Sequence, residues 1–360
     1  MKFIKKHFKW ILPLMTLMIL AALFMLPRGY TSPIKDASGN TLPNSVASLE
    51  KVKIGGVDQW LLIRGQNKDN PVLLFLHGGP GTSEMAFVKH FNADLEKYFV
   101  VVNWDQRGAG KSFFSSSPKD SFNLEQYISD THEVAELLKK RFHKEKIYLL
   151  GHSWGSFLGM STIHRYPESF IAYIGTGQCS DGPESEEDGY RFVIEAAENT
   201  NNQKALKELR AIGYPENGSY EGGHSSTEVQ RKWNMEFGGF VYGKRNANDI
   251  LKYALFAKEY HLKDLLSYVL IEHNSIGELI DHTRFSEKIP EVKVPVYFLL
   301  GRYDHCTSSA VAEKYFQKLK APRKELVWFE KSAHSPCFEE SEKFNNVLIS
   351  QVLKETDPVK

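Results

Sequence analysis

Residues 146–155 read Lys146-Ile147-Tyr148-Leu149-Leu150-Gly151-His152-Ser153-Trp154-Gly155. An apolar run of strand length meets a Gly-x-Ser-x-Gly turn, and large residues at helical spacing follow from Trp154 to Tyr166. Glycines flank the serine because a strand that turns so abruptly into a helix leaves no room for side chains there. Such a turn lifts the Ser153 hydroxyl to the end of a sheet, where a base can reach it. The motif is short, so its weight depends on what surrounds it.

Outward from this stretch the same alternation of strand and helix repeats. Val72–Leu76 and residues 99–104 are continuous apolar runs, as strands buried on both faces require. Asn123 opens a helix, with Gln126 three residues on as a capping-box partner. Leu124, Ile128, Val134, Leu137, Leu138 and Phe142 form its apolar stripe. Phe170–Thr176 reads as the next strand. Upstream, residues 51–54 and 57–63 flank Gly55-Gly56, a hairpin signal. The alternation stops near Asp181, and as far as Pro290 the chain reads as helices and loops. It then resumes with a strand at 294–300, a helix at 308–319, a strand at 325–329 and a helix at 339–353. The pattern predicts an α/β fold: a mostly parallel sheet flanked by helices, formed by residues 49–180 and 291–360, with a helical cap inserted over 181–290. Residues 29–48, poor in large apolar groups, are expected to form a linker.

Composition narrows the function. The 360 residues are 42% hydrophobic and 25% charged, as in a globular enzyme. Five of the 45 basic residues (Lys2, Lys5, Lys6, Lys9 and Arg28) fall within residues 1–28, which hold no acid. The remainder carries 40 basic against 44 acidic groups, so it has no basic excess and nucleic acid is excluded as a partner. Cys179, Cys306 and Cys337 form no C-x-x-C pair, so neither a zinc site nor a disulfide framework is suggested. The uncharged run at 10–26 follows the four lysines and would make a helix of about 25 Å. It is read as part of an N-terminal membrane anchor over residues 1–28, single-pass, with the catalytic body on the extracytoplasmic side. Secretion after signal cleavage is the alternative.

A serine hydroxyl needs a histidine to take its proton and a carboxylate to hold that histidine's tautomer. After a Gly-x-Ser-x-Gly elbow the partners follow in the order acid, then histidine. Asp304 lies in the loop leaving the apolar run Val296-Tyr297-Phe298-Leu299-Leu300, and His334 in the loop leaving Leu326-Val327-Trp328-Phe329. His305 is the nearest rival base, but it follows Asp304 directly. Asp281 and Glu278 are fallback acids. An oxyanion hole requires two backbone N–H groups. Trp154, next after the serine, offers one. The loop His77-Gly78-Gly79-Pro80-Gly81, directly after an early strand, offers the other through Gly79.

Taken in order, His77-Gly78-Gly79-Pro80-Gly81, Trp104-Asp105-Gln106-Arg107-Gly108-Ala109-Gly110-Lys111-Ser112 and Gly151-His152-Ser153-Trp154-Gly155 resemble the prolyl iminopeptidase branch of the α/β-hydrolase superfamily. The resemblance covers roughly residues 50–180 and 290–355. It implies a serine hydrolase working through an acyl-enzyme, releasing an N-terminal residue from short peptides, with acidic cap residues holding the free amine. Glu195 and Glu236 are the candidates for that role; a solvated acidic helix face is the other reading of residues 181–198. The chain departs from the branch in carrying His152 where these peptidases often carry glycine. Asp105 and Arg107 are expected to support the oxyanion loop, with substrate contact as the alternative. A carboxylesterase or lactone hydrolase is the competing function for a small-molecule substrate, and a ligand-binding protein without turnover a remote one. No metal or organic cofactor is expected.

Overall fold

The computed structural model, which describes residues 28–115, 117–243, 248–270 and 275–356, places eight strands in a single sheet. In chain order these are β1 (Val46–Ile54), β2 (Val57–Gly65), β3 (Val72–Leu76), β4 (Val100–Asp105), β5 (Ile147–His152), β6 (Phe170–Thr176), β7 (Val296–Gly301) and β8 (Lys324–Phe329). Their spatial order is β1-β2-β4-β3-β5-β6-β7-β8. β1 and β2 pair antiparallel across Gly55-Gly56, both at positive φ as a two-residue hairpin requires. β2 runs antiparallel to β4, and β3 to β8 are parallel.

The continuous apolar runs are explained by two-sided burial. Val72, Leu74 and Leu76 of β3 face a core built with α2 (Leu124–Phe142) and α3 (Trp154–Arg165). Leu73 and Phe75 face the opposite core, which includes α1 (Met85–Phe91) and the C-terminal helical turns. The Asn123 side chain accepts from the Gln126 amide at 2.9 Å, as the cap requires. Gln126 does not return the contact, however; its amide donates instead to Asp130 Oδ1 at 2.8 Å.

Between β6 and β7 the described residues contribute no strand to the sheet. It runs through α4 (Gly182–Asn199), α5 (Gln203–Ile212), α6 (His224–Glu236) and shorter helices. Val193, Ala197, Leu206, Leu209 and Trp233 give α4 to α6 a small core of their own.

Two expectations about the N-terminal region change. The segment read as a linker makes contacts of its own: the Gly29 amide donates to Lys258 O at 2.7 Å, next to Arg28, whose guanidinium donates to Leu255 O at 2.8 Å. Arg64 donates to Thr31 Oγ1 and Ser32 O, and β1 begins already at Val46. Polar composition here reflects backbone partners rather than freedom. The membrane anchor is also withdrawn, and with it the single-pass extracytoplasmic location. Among the described residues no helix is long and apolar enough to cross a membrane. The run at 10–26 lies outside the described residues, and its seventeen residues would span only about 25 Å of a hydrocarbon layer about 30 Å thick.

Candidate active site

The sheet register gathers the chemistry at one end. Leu76 pairs with Gly151, and Gly151 with Gly175, so the loops leaving β3, β5 and β6 emerge side by side. Ser153 occupies the turn out of β5 with φ 54° and ψ −122°. A non-glycine residue held there stores on the order of 1–3 kcal/mol of backbone strain. The flanking glycines are needed for space. A Cβ on Gly151 would lie 2.2 Å from Gly155 O, and one on Gly155 would lie 2.1 Å from Leu76 O.

His334 follows β8 and Asp304 follows β7, and the fold brings them together: the Nδ1–H of His334 donates to Asp304 Oδ2 at 3.0 Å. Both are buried. Asp304 Oδ1 accepts from the amides of Cys306 and Thr307 at 2.8 and 3.1 Å, and Oδ2 also accepts from Thr307 Oγ1 at 2.9 Å. Burial works against the Asp304 charge, but His334 and these hydrogen bonds outweigh it and hold the carboxyl down at about 2. With Nδ1 committed as a donor, the Nε2 of His334 keeps a lone pair for a proton. The ring of His152, next to Ser153 in the chain, lies 5.1 Å from that of His334. His305 is turned elsewhere, with Nδ1 3.1 Å from Asp188 and its ring stacked on Phe192.

Trp154 opens α3, where helix geometry leaves the first N–H groups without an internal acceptor. Gly79 and Pro80 line the space beside it. Gln106, to which the sequence reading gave no role, ties these parts together. Its amide N–H donates to His77 Nε2 at 3.2 Å, and its side-chain oxygen accepts from Trp154 Nε1 at 2.9 Å. His77 donates from Nδ1 to Gly78 O at 2.7 Å, so it is a neutral tautomer, and burial lowers its proton affinity accordingly. Asp105 accepts from Ser83 Oγ, from the Lys111 amide at 2.8 Å and from Tyr260 OH at 3.2 Å. Arg107 forms a two-pronged, fully buried ion pair with Asp130 at 2.7 and 3.0 Å. Residues 104–112 therefore brace the glycine-rich loop after β3 and the helix beneath it. Arg107 is turned away from the cavity.

Above Ser153 opens a cavity of about 710 Å³ lined by Gly79, Trp154 and Phe157 of the core and by Glu186, Arg231 and Asp281 of the inserted helices. Glu195 and Glu236 are exposed and do not line it. The acid that does is Glu186, whose side chain is 3% exposed. Its Oε1 meets Arg231, while Oε2 is buried with no hydrogen-bond partner. Gly182, Ser185 and Glu186 share one face of α4, and it is the fold that turns this face to the cavity. Cys179 also lines the space, but burial pushes its thiol up to about 12, too high to supply a thiolate.

A family model described as serine aminopeptidase, S33, matches residues 67–341. The chain is 34% identical over 312 residues to a probable aminopeptidase, YbaC, of Bacillus subtilis, covering 84% of this chain and 96% of the relative. It is 27% identical over 299 residues to a proline iminopeptidase of Saccharolobus solfataricus, covering 79% and 85%. Among solved structures, the esterase RhEst1 from Rhodococcus sp. ECU1013 is similar in fold at 15% identity. Its TM-score is 0.56, with 86% of this chain and 99% of that one covered.

Proposed function

Because the chain belongs to the S33 serine aminopeptidase family and is a hydrolase, we propose that it is an aminopeptidase releasing an N-terminal residue, such as proline, from small peptides through an acyl-enzyme on Ser153. Ser153 Oγ attacks the carbonyl carbon of the first residue while His334 Nε2 takes its proton and Asp304 stabilises the imidazolium. The amides of Trp154 and Gly79 carry the charge on the tetrahedral oxygen. His334 then returns the proton to the departing amine. Water, activated by the same base, releases the acyl group.

The observation that carries this reading is the His334–Asp304 contact at 3.0 Å, with the carboxylate oriented by two main-chain amides at the sheet end that also holds Ser153. Support for a peptide substrate comes from Glu186. An unpartnered, buried carboxylate oxygen in the cavity wall is suited to a protonated N-terminal amine. This replaces Glu195 and Glu236 in the amine-binding role. A carboxylesterase or lactone hydrolase is the second reading, favoured by Arg231, which already compensates one oxygen of Glu186, and by the apolar wall of Trp154 and Phe157.

The test is turnover of a proline arylamide and of a short-chain aryl ester by the full chain, each beside a Ser153→Ala control. Arylamide hydrolysis that vanishes in the control is expected. Hydrolysis of the ester alone would sink the peptidase reading, and a control that keeps full activity would sink the mechanism.

A further inference from the structure

The chemistry above uses one buried histidine, and a second lies directly behind it. His152 is the last residue of β5 and is 4% exposed. Its Nδ1 is 2.7 Å from Glu84 Oε1, and its Nε2 is 3.1 Å from the main-chain carbonyl oxygen of His334. Ser335 Oγ, 3.2 Å from the same Nε2, can give or take a proton. A carboxylate and a carbonyl can only accept. A neutral imidazole has a single N–H and would turn a lone pair towards one of them. Only the imidazolium donates to both.

Glu84 occupies a junction. It precedes α1, on the loop that continues from the oxyanion turn. A Cβ on Gly78 would lie 3.1 Å from Glu84 Oε1 and 3.3 Å from Ser153 Cβ, so oxyanion loop, carboxylate and nucleophile are packed together. A buried ion pair is weak as a stabilising device, because desolvation offsets its attraction. Here Glu84 Oε2 has no hydrogen-bond partner either. What the pair does supply is a fixed link between three loops.

We propose that His152 is a positioning residue for the base: as an imidazolium anchored on Glu84, it donates from Nε2 to the His334 carbonyl and fixes the main chain that carries the His334 ring beside Ser153. The proposal rests on the reading of Ser153 and His334 as nucleophile and base, whatever the substrate.

The charged and titratable groups around His152 are consistent with this state. Glu84 and His77 act on it from the loop after β3, and Asp304 and His334 from the loops after β7 and β8; Cys337 and Glu339 sit further out, on the turn beyond His334 whose Phe338 ring packs 5.8 Å from the His152 ring. Burial alone would lower its proton affinity; the Glu84 charge and hydrogen bond, the His334 carbonyl and Asp304 outweigh it and leave it raised. His77 is shifted the other way by burial, so it adds no like charge. The Cys337 thiol is raised by burial and stays neutral. Glu339 is occupied by the Ala333 and Ser335 amides. When pH rises through the His152 titration, Glu84 retains the Nδ1 proton and the Nε2 proton is lost. A lone pair then faces the His334 carbonyl, the loop shifts, and acylation slows.

The experiment is phosphonylation of the full chain by a fluorophosphonate, followed across pH. The Ser153 oxygen–phosphorus bond forms, fluoride leaves and His334 takes the hydroxyl proton, with no demand on peptide or ester recognition. Labelling of Ser153→Ala would overturn the nucleophile assignment itself and so is distinguishable from failure here. Wild type should label more slowly at alkaline pH. His152→Phe should label about 10–100-fold more slowly at neutral pH, the range a misplaced catalytic group produces. In Glu84→Gln the amide can donate to Nδ1, so neutral His152 keeps its proton on Nε2. That variant should lose less than His152→Phe, and its alkaline decline should disappear. Should His152→Phe fail to fold, the Glu84→Gln profile decides alone. A His152→Phe rate close to wild type, an unchanged alkaline decline in Glu84→Gln, or a wild-type profile with no decline would each overturn the proposal.

Discussion

Replacing Asp304 by asparagine tests the proposed base more sharply than removing it. Oδ1 of Asp304 accepts from two main-chain amides, Cys306 and Thr307. An asparagine must place its carbonyl oxygen there, because its NH₂ group would meet two donors. The NH₂ group is thereby aimed at His334 Nδ1, now 3.0 Å from Oδ2. It can only donate, so Nδ1 becomes an acceptor and the ring proton moves to Nε2. His334 then presents a donor to Ser153 where a lone pair is required. The geometry is kept and the tautomer is wrong. In serine hydrolases that pattern costs roughly four orders of magnitude in kcat, about 5.4 kcal/mol in barrier height. KM should change little, since Asp304 is buried beneath the cavity floor and is not among its lining residues. The assay is kcat and KM on whichever substrate class the wild type turns over, with circular dichroism to verify the fold. A variant within tenfold of wild-type kcat would refute the roles given to both residues.

Further outcomes follow from the same geometry. Glu186→Gln should raise KM about tenfold for substrates with a free N-terminal amine, the loss of one charge-assisted hydrogen bond, and leave KM for a neutral ester unchanged; equal effects on both would remove Glu186 from amine binding. Gly155→Ala drives a Cβ to 2.1 Å from Leu76 O, and the urea midpoint should fall by the equivalent of roughly 2–3 kcal/mol, against no change if the elbow relaxes freely. Burial, opposed by Ser83, Lys111 and Tyr260, pushes Asp105 up to about 6 from 3.8. The unfolded chain therefore ionises first, and this group costs stability as pH rises across that interval. The melting temperature of Asp105→Asn relative to wild type should climb over the same interval; a flat difference would count against it. Asp304 has the opposite sign. Its folded value of about 2 lies below 3.8, so its contribution is present above that ordinary value and is lost as pH falls towards 2, measurable as an acid-side drop in melting temperature that Asp304→Asn lacks.

Much of the core was legible because its signals are local. A strand buried on both faces must be apolar throughout, a two-residue hairpin needs positive φ at Gly55 and Gly56, and a sharp strand-to-helix turn admits only glycine at 151 and 155. Chain order then placed Asp304 and His334 at successive strand ends. The membrane reading rested on charge and hydropathy over residues 10–26 alone, a run short for the hydrocarbon layer, and no described helix is long and apolar enough to cross a membrane. The contacts of residues 28–45 are invisible in the sequence for a separate reason. Their partners Leu255 and Lys258 are more than two hundred residues away in sequence, and a polar loop with distant backbone acceptors looks the same as a free one.

The acidic helix over residues 182–199 separates the two kinds of information. Its composition announces a negative surface, and nothing in the residue types distinguishes Glu186 from Glu195. At 100° per residue, nine positions amount to two and a half turns, so the two carboxylates point in opposite directions. Packing of α4 against α5 and α6 decides which one enters the cavity. Residue order and spacing along this chain determined the strands, the elbow and the chain order of Ser153, Asp304 and His334, because each is read from a run or motif only a few residues long. Only the tertiary structure decided that Glu186 lines the cavity and that Glu84 meets His152, 68 positions away, because those contacts are made by rotations and crossings that no local pattern encodes.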